Sequence, residues 1–144
     1  MDQERKLLFT YTIPVRWGDM DALGHVNNAT YFTYFEQARV AWLESFEAEG
    51  SLSHGTNAGP VIVNASCTFL KAVVYPAVLD VRLFGGEPGR SSFETYYEIR
   101  DAKSPETLFT TGASKVVWVD HVMGRSCPLP PEVVEKLPGH TETA

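Results

Sequence analysis

Residues 17–28 have the sequence Trp-Gly-Asp-Met-Asp-Ala-Leu-Gly-His-Val-Asn-Asn, and a long segment rich in apolar residues follows them. Two acids, a histidine, two glycines and an Asn pair are therefore concentrated in one short loop. The loop stands directly before a predicted helix, where the first backbone N–H groups have no partner within the helix and can bind an anion or a polarised oxygen. This composition favours a binding or catalytic site over a purely structural turn.

The segment after the loop predicts one long helix. Asn is a strong N-cap, so we expect the helix to begin near Asn27 or Asn28, to continue to about Ala48 and to stop at Gly50. Its apolar and aromatic residues cover well over half of the helix circumference, which predicts a helix wrapped by other elements. These residues are Tyr31, Phe32, Tyr34, Phe35, Ala38, Trp42, Leu43 and Phe46.

The rest of the chain predicts strands. Leu8–Trp17 alternates apolar and polar residues and delivers the chain to the loop. Four more alternating segments follow the helix, at residues 61–69, 79–83, 93–99 and 116–118. The turns between them are short and rich in Gly and Pro, so we expect antiparallel neighbours. The prediction is an α+β fold in which one curled antiparallel sheet of about five strands surrounds one long central helix.

Length and composition predict a single domain over residues 1–144, since 44% apolar and 12% aromatic residues are enough for a core. The formal charge of −6 comes from dispersed acids without a Lys/Arg stripe, which argues against a nucleic-acid partner. Cys67 and Cys127 lack the spacing of a metal site, and we find no signal peptide or long apolar run. We therefore expect a soluble cytoplasmic protein without a membrane partner. Open sheet edges predict a homo-oligomer, either a dimer or a tetramer.

Residues 19–28, together with Tyr31 and the Glu-Gln-Ala-Arg of residues 36–39, resemble the hot-dog-fold acyl-CoA thioesterases of the 4-hydroxybenzoyl-CoA thioesterase type. The likeness extends over about residues 15–119. It implies a hot-dog fold and an enzyme that hydrolyses a fatty or aromatic acyl thioester to the free acid and coenzyme A. It also implies that Asp21 of the Asp-x-x-Gly loop is the nucleophile or the general base. The backbone N–H of Asn28 would then polarise the thioester carbonyl.

These residue types suit that chemistry. A thioester requires an anion or an activated water on one side of its carbonyl carbon and a positive field at its oxygen. Asp21 lies seven residues before Asn28, and Gly24 lets the chain turn back between them. The helix dipole adds about half a unit of positive charge at its N-terminus. We therefore expect no metal, and no cofactor apart from the coenzyme A of the substrate.

Other residues near the loop have alternative interpretations. We expect Asp19 to be a structural or supporting acid. His25 is a candidate catalytic residue as a general base, a metal ligand or a residue that orients the loop, and an isolated His most often has the last role. Glu36 is the alternative to Asp21 as catalytic acid, because some thioesterases of this fold have their catalytic acid on the helix. Glu36 could also form an ion pair with Arg39, either in the same chain or across a subunit boundary. Cys67 lacks a basic neighbour and is expected in the core.

Substrate binding is assigned to two further sets of residues. The resemblance implies that Arg90, Ser91 and Ser92 hold the nucleotide end of coenzyme A, and a guanidinium beside two hydroxyls suits a phosphate. This turn supplies one cation for the phosphates of the nucleotide. An acyl carrier protein therefore stays an alternative to coenzyme A as the carrier of the acyl group. The acyl group is expected beside apolar and aromatic residues that accept a fatty chain or an aryl ring, or that simply form core. They are Tyr31, Phe35, Pro60, Val61 and Ile62.

Two other functions stay open at this point. An enoyl-thioester hydratase or dehydratase of the same fold would use Asp21 and His25 as an acid and base pair. A hot-dog domain could also bind acyl thioesters or partners without turnover, although the intact Asp-x-x-Gly loop argues against it. A serine nucleophile is not indicated, because the sequence has no Gly-x-Ser-x-Gly elbow.

Overall fold

The structure, a computed structural model, describes residues 4–48 and 57–139. Its longest element is helix α1, Asn28–Ala48, whose start and end agree with the prediction; Gly50 lies outside the described residues. The other elements are β1 (Lys6–Pro14), β2 (Ala58–Phe69), β3 (Val78–Gly85), β4 (Ser92–Asp101), β5 (Leu108–Asp120), β6 (Arg125–Ser126) and α2 (Pro131–Val134). No helix in these two ranges is long and apolar enough to cross a membrane.

The strands form one antiparallel sheet in the order β1-β3-β4-β5-β2, and the short β6 pairs with β5. The predicted curled antiparallel sheet around one helix is therefore confirmed. One predicted neighbour is wrong, because β2 lies at the far edge beside β5 and not beside β3. The short connection between β2 and β3 favoured a hairpin of these two strands. The alternation of residues within a strand does not indicate which other strand lies beside it.

Residues 70–77 carry the chain from β2 to β3 across one end of the sheet. At the start of this crossing the Leu70 N–H donates to the Phe109 carbonyl at 2.9 Å, and at its end the Ala77 carbonyl accepts from the Val15 N–H at 2.8 Å. Val73, in the middle, is fully buried and accepts a hydrogen bond from the Val26 N–H at 3.0 Å. The crossing thus lies directly under the loop before α1.

The first strand and the C-terminal segment differ from the prediction. β1 ends at Pro14, and the last three residues of the predicted strand leave the sheet, since Trp17–Asp19 form a single 3-10 turn. The elements β6 and α2 were not predicted, because two and four residues are too short to show a period. Val133 and Leu137 are nevertheless buried, so the C-terminal segment completes the core.

The core lies between α1 and the inner face of the sheet. Phe35 of α1 stacks on Tyr97 of β4 with ring centroids 4.4 Å apart. Phe35 also approaches β5 so closely that a Cβ at Gly112 would lie 2.5 Å from its ring. Phe32 and Val40 of the helix are 38% and 41% exposed, so the single chain covers one side of α1 and leaves another side open.

Candidate active site

Residues 20–26 form a tight hairpin that ends where α1 begins. Met20 and Val26 form an antiparallel bridge, and inside it the Asp21 N–H donates to the His25 carbonyl at 2.8 Å. The chain reverses at Gly24, whose φ of +84° lies in the left-handed region that glycine adopts without strain. Gly24 therefore makes the turn for which the sequence predicted it.

The carboxylate of Asp21 is held by the backbone of its own hairpin. Its Oδ1 accepts hydrogen bonds from the Leu23 N–H at 2.9 Å and from the His25 N–H at 3.4 Å. Its Oδ2 accepts no hydrogen bond from residues 4–48 or 57–139. Asp21 is partly buried, so one oxygen is fixed while the other is available to a substrate or a water molecule.

The start of α1 provides a backbone donor close in sequence to this acid. Asn27 is the N-cap, because its Oδ1 accepts from the Ala29 N–H at 2.9 Å and its carbonyl accepts from the Thr30 N–H at 2.9 Å. The N–H of Asn27 itself donates to the Asp19 carbonyl at 3.0 Å. Asn28 is exposed, and its N–H has no acceptor in the described part of the chain. Among the described residues the helix therefore begins with a free donor at Asn28, the residue to which the resemblance assigns the carbonyl donor.

Asp19, by contrast, is buried and engaged at both carboxylate oxygens. Oδ1 accepts from the Arg16 guanidinium at 2.9 Å, and Oδ2 accepts from the Arg16 N–H at 3.0 Å and from the Tyr34 hydroxyl at 2.8 Å. Burial alone would raise the pKa of Asp19, but these hydrogen bonds outweigh it and hold the pKa below its ordinary value. Burial, and then the Asp19 carboxylate, raise the pKa of Tyr34. Asp19 thus ties the loop to the helix and has no free oxygen for chemistry.

The remaining candidate residues for acid, base or nucleophile are less favourably arranged. The His25 ring is exposed, and the hydrogen bonds that join His25 to Asp21 involve only its backbone. Glu36 lies eight residues into α1 from Asn28, which is about 12 Å along the helix axis. Glu36 and Arg39 form no ion pair with each other, since the guanidinium bonds the Tyr97 hydroxyl instead. Burial raises the pKa of Cys67 to about 11, so its thiol stays protonated at neutral pH.

A groove between α1 and β2 contains part of the predicted acyl site. It has two adjoining cavities of about 270 and 220 Å³ that share Glu36, Arg39 and Ile62. Phe35 lines the first cavity and Pro60 the second. Several other residues line the groove that were not predicted for it, because the pattern within one element does not show which other element it will face. They are Phe32, Thr33, Ala65, Tyr97 and Ser114 in the first cavity and Val40, Trp42, Leu43, Phe93, Val116 and Trp118 in the second.

Two predicted acyl-site residues lie outside this groove. Tyr31 is buried at the helix start, where its ring meets that of Phe69 with centroids 5.0 Å apart. Val61 is 36% exposed and precedes Ile62, so its side chain projects from the opposite face of β2. The groove therefore runs along the middle of α1 and not along its first turn.

The predicted nucleotide-binding turn lies far from the loop within one chain. Arg90 is exposed two residues before β4, and the Ser91 carbonyl accepts from the Trp118 N–H at 2.8 Å. Ser92 lies opposite Val117, which lies opposite Val61 near the start of β2. Phe69, at the other end of β2, contacts Tyr31 at the start of α1 and therefore lies near the loop. Val61 and Phe69 are eight residues apart in β2, which corresponds to about 26 Å at the ordinary rise of a strand.

The described residues contain no group of three or more His, Cys, Asp and Glu side chains that could hold a metal ion. The described residues do show an acid with one oxygen that accepts no hydrogen bond and a free N–H at the start of the helix, and they show a mainly apolar groove further along the same helix.

Comparison with known proteins identifies the family. A model described as the thioesterase-like superfamily matches residues 15–137. The chain belongs to the thioesterase-like superfamily. The match includes the loop, α1 and every strand from β2 to β6.

Individual relatives of this thioesterase-like protein agree with the assignment. The YsmA protein of Bacillus subtilis is 28% identical over 137 residues, which cover 94% of this chain and 90% of YsmA. The solved structure of the Pseudomonas aeruginosa PA2801 protein, whose description proposes a thioesterase, is 44% identical with a TM-score of 0.80, over 89% of this chain and 96% of that one. A Xanthomonas campestris structure whose description proposes an acyl-CoA thioesterase is 37% identical with a TM-score of 0.71, over 80% and 95% of the two chains.

The family and the structural neighbours confirm two predictions. The fold is the hot-dog fold, and the chain is a thioester hydrolase at the level of its family. In this thioesterase-like protein, the loop with the start of α1 is the candidate active site, and the groove between α1 and β2 is the candidate acyl site.

Proposed function

We propose that this thioesterase-like protein hydrolyses an acyl-CoA thioester, with Asp21 as the general base or nucleophile and the Asn28 N–H as the donor to the carbonyl oxygen. The observation that carries this proposal is the free N–H at the first residue of α1, a few residues after an acid with one unengaged oxygen. Coenzyme A is proposed as the carrier because the similar Xanthomonas campestris protein is described in those terms.

The chemistry follows from these two groups. As a base, Asp21 takes a proton from water while the water oxygen attacks the carbonyl carbon. The negative charge that develops on the carbonyl oxygen is stabilised by the Asn28 N–H and the helix dipole, and the C–S bond then breaks to release coenzyme A as its thiol and the acid. As a nucleophile, Asp21 attacks the carbon directly and expels the thiolate. Water then hydrolyses the resulting anhydride.

A second copy of the chain is part of this proposal. β2 has β5 on one side and no strand of the described residues on the other, and Val63 in this strand is 53% exposed. Two β2 strands paired antiparallel across a two-fold axis would cover both edges. Such pairing sets the start of one β2 beside the end of the other. The loop of one copy would thereby approach Arg90, Ser91 and Ser92 of the partner subunit, and one substrate could contact both.

The first experiment measures release of free thiol from short, medium, long-chain and aromatic acyl-CoAs by the parent and by Asp21→Asn. The variant keeps the shape and the Oδ1 acceptor but removes the charge, so we expect turnover to fall at least about a hundredfold. Asp120→Asn is the matched control, because Asp120 Oδ1 accepts from the Val122 and Met123 N–H groups in a similar turn far along the chain.

Turnover of Asp21→Asn within about tenfold of the parent would contradict the assignment of the acid. Thiol release from no acyl-CoA would favour acyl carrier protein substrates, hydratase chemistry or binding without turnover. Light scattering on the parent tests the second copy, and a stable monomer would contradict the shared site.

A further inference from the structure

Three buried hydroxyls and one guanidinium form a polar cluster inside the otherwise apolar region between α1 and the sheet. Thr95 and Ser114 contact each other through their hydroxyls, and the Tyr97 hydroxyl lies 2.8 Å from Ser114 Oγ and 2.9 Å from Thr95 Oγ1. All three side chains are at most 1% exposed. Arg39, from the middle of α1, donates from Nη1 to the Tyr97 hydroxyl at 2.9 Å. The cluster therefore fixes the head of Arg39 in place.

The guanidinium of Arg39 keeps most of its hydrogen-bonding capacity. A guanidinium has five N–H donors, and the bond to Tyr97 uses one of them. The ion pairs of the described residues join Arg16 to Asp19 and Arg100 to Glu98, so Arg39 has no carboxylate partner there. A partly buried cation without a counter-charge is unfavourable, because it loses hydration without a compensating ion pair. Its free donors therefore favour an acceptor from outside the chain.

The free donors border the candidate acyl site. Arg39 lines both cavities of the groove, whose other walls include Phe35, Ile62 and Trp42. Glu36 also lines both cavities, but it forms no ion pair with Arg39. Mainly apolar walls with a few placed polar groups are typical of a site that orients a small ligand. A plain hydrocarbon chain would fill the walls but leave the guanidinium unpaired. An acyl group with an oxygen acceptor of its own would satisfy both.

We propose that Arg39 is a specificity-determining residue that binds an oxygen acceptor on the acyl group, away from the thioester, and that Tyr97 positions it. This inference rests on the proposed function, since it presumes that the groove holds the acyl group. A carboxylate is the strongest such acceptor, because its two oxygens match the guanidinium fork; a phenolic oxygen offers the same chemistry with one atom. Asn28 and Arg39 are eleven residues apart, about 16 Å along the helix, so the test spans several acyl lengths.

The test compares matched thioester pairs that differ only in the distal oxygen. One arm pairs ω-carboxyacyl-CoAs of six, eight and twelve carbons with the unsubstituted acyl-CoAs of the same length. These lengths are chosen to cover distances up to the separation of about 16 Å between Asn28 and Arg39 along the helix. The other arm pairs 4-hydroxybenzoyl-CoA with benzoyl-CoA. The measured quantity is the ratio of kcat/KM within each pair, for the parent, Arg39→Met and Arg39→Lys. Arg82→Met, a change in β3 on the outer face of the sheet, is the matched control.

We expect the parent to prefer the oxygen-bearing member of at least one pair by about tenfold or more. Arg39→Met should bring that ratio to within about twofold of one, while Arg39→Lys keeps part of a carboxylate preference because it retains the charge. Arg82→Met should keep the parent's ratio. Ratios near one for every pair in the parent, or a ratio unchanged in Arg39→Met, would overturn the inference.

Binding measurements separate this inference from the hydrolysis proposal. The same thioester pairs are titrated by calorimetry into Asp21→Asn protein, with and without Arg39→Met. If the parent hydrolyses none of the thioesters, the proposed function fails, and the difference in Kd within each pair still decides whether Arg39 binds the oxygen. If Arg39→Met dissociates an oligomer seen by light scattering and weakens both members of each pair equally, the guanidinium serves a subunit contact and the inference is wrong.

Discussion

The role of the Asn28 N–H can be tested by removing that single hydrogen. A change of the Asn28 side chain leaves the backbone donor intact, but Asn28→Pro removes it. Asn28 is the first residue of α1, and Pro is well tolerated at the first position of a helix because that N–H has no helical partner. Asn28 is exposed and its N–H bonds no described residue, so the substitution removes no contact that the structure shows.

The expected effect is confined to the transition state. Loss of one donor to a developing oxyanion costs about 2.7 to 4 kcal/mol, which corresponds to a fall in kcat of about two to three orders of magnitude. The folded state should be unchanged or slightly stabilised, since Pro restricts the unfolded chain. Thiol release at saturating acyl-CoA gives kcat, and thermal unfolding followed by circular dichroism gives Tm.

The comparison is with Asn28→Ala, which removes the same side chain but keeps the N–H. The reasoning requires kcat of Asn28→Pro to lie at least about a hundredfold below that of Asn28→Ala, at a similar Tm. If the two variants turn over within about threefold of each other, the Asn28 N–H does not stabilise the oxyanion. The donor would then have to be sought elsewhere in the loop.

Two further predictions concern stability. The pKa of Asp19 is held below its ordinary value in the folded state, so its charge stabilises the fold above about pH 4, and this contribution is lost as the pH falls through the lowered value. Asp19→Asn should therefore lower the urea midpoint of unfolding at pH 7. It should also reduce the difference between the midpoints at pH 7 and at about pH 2.5. If that difference is as large in the variant as in the parent, the Asp19 carboxylate does not stabilise the fold through its charge. Gly112→Ala should lower the free energy of unfolding by about 1 to 3 kcal/mol, because its Cβ would lie 2.5 Å from the Phe35 ring. Gly89→Ala, with its nearest atom at 3.5 Å, is the control, and an equal effect of the two changes in urea titrations would show that crowding at Phe35 is not the cause.

Most of the fold could be predicted because its signals are local. Asn27 caps α1 through its own side chain and the strands alternate by burial, so both features are visible in a few consecutive residues. The position of β2 beside β5 could not be predicted, because strand order depends on which edges meet in space. The elements β6 and α2 are too short to show a period.

Some features of the candidate site could likewise be predicted from local sequence, and others could not. The turn at Gly24 follows from local sequence, whereas the choice of Asp21 over Asp19 and the choice of the Asn28 N–H as donor rested on the resemblance. The structure adds a physical difference, since both oxygens of Asp19 are engaged and one oxygen of Asp21 is not. The bond from Arg39 to Tyr97 joins residues 58 positions apart, so no sequence pattern could have indicated it.

The hydrogen bond from Val26 to the Val73 carbonyl has a consequence for how the protein acquires activity. The loop before α1 is short and local in sequence, but part of its support comes from a crossing that the chain reaches 47 residues later. Closing this long segment costs conformational entropy, so this support of the loop depends on the strands that hold the crossing in place. During synthesis, α1 can form soon after it leaves the ribosome, whereas the candidate catalytic hairpin is completed only when the segment between β2 and β3 has emerged and folded beneath it.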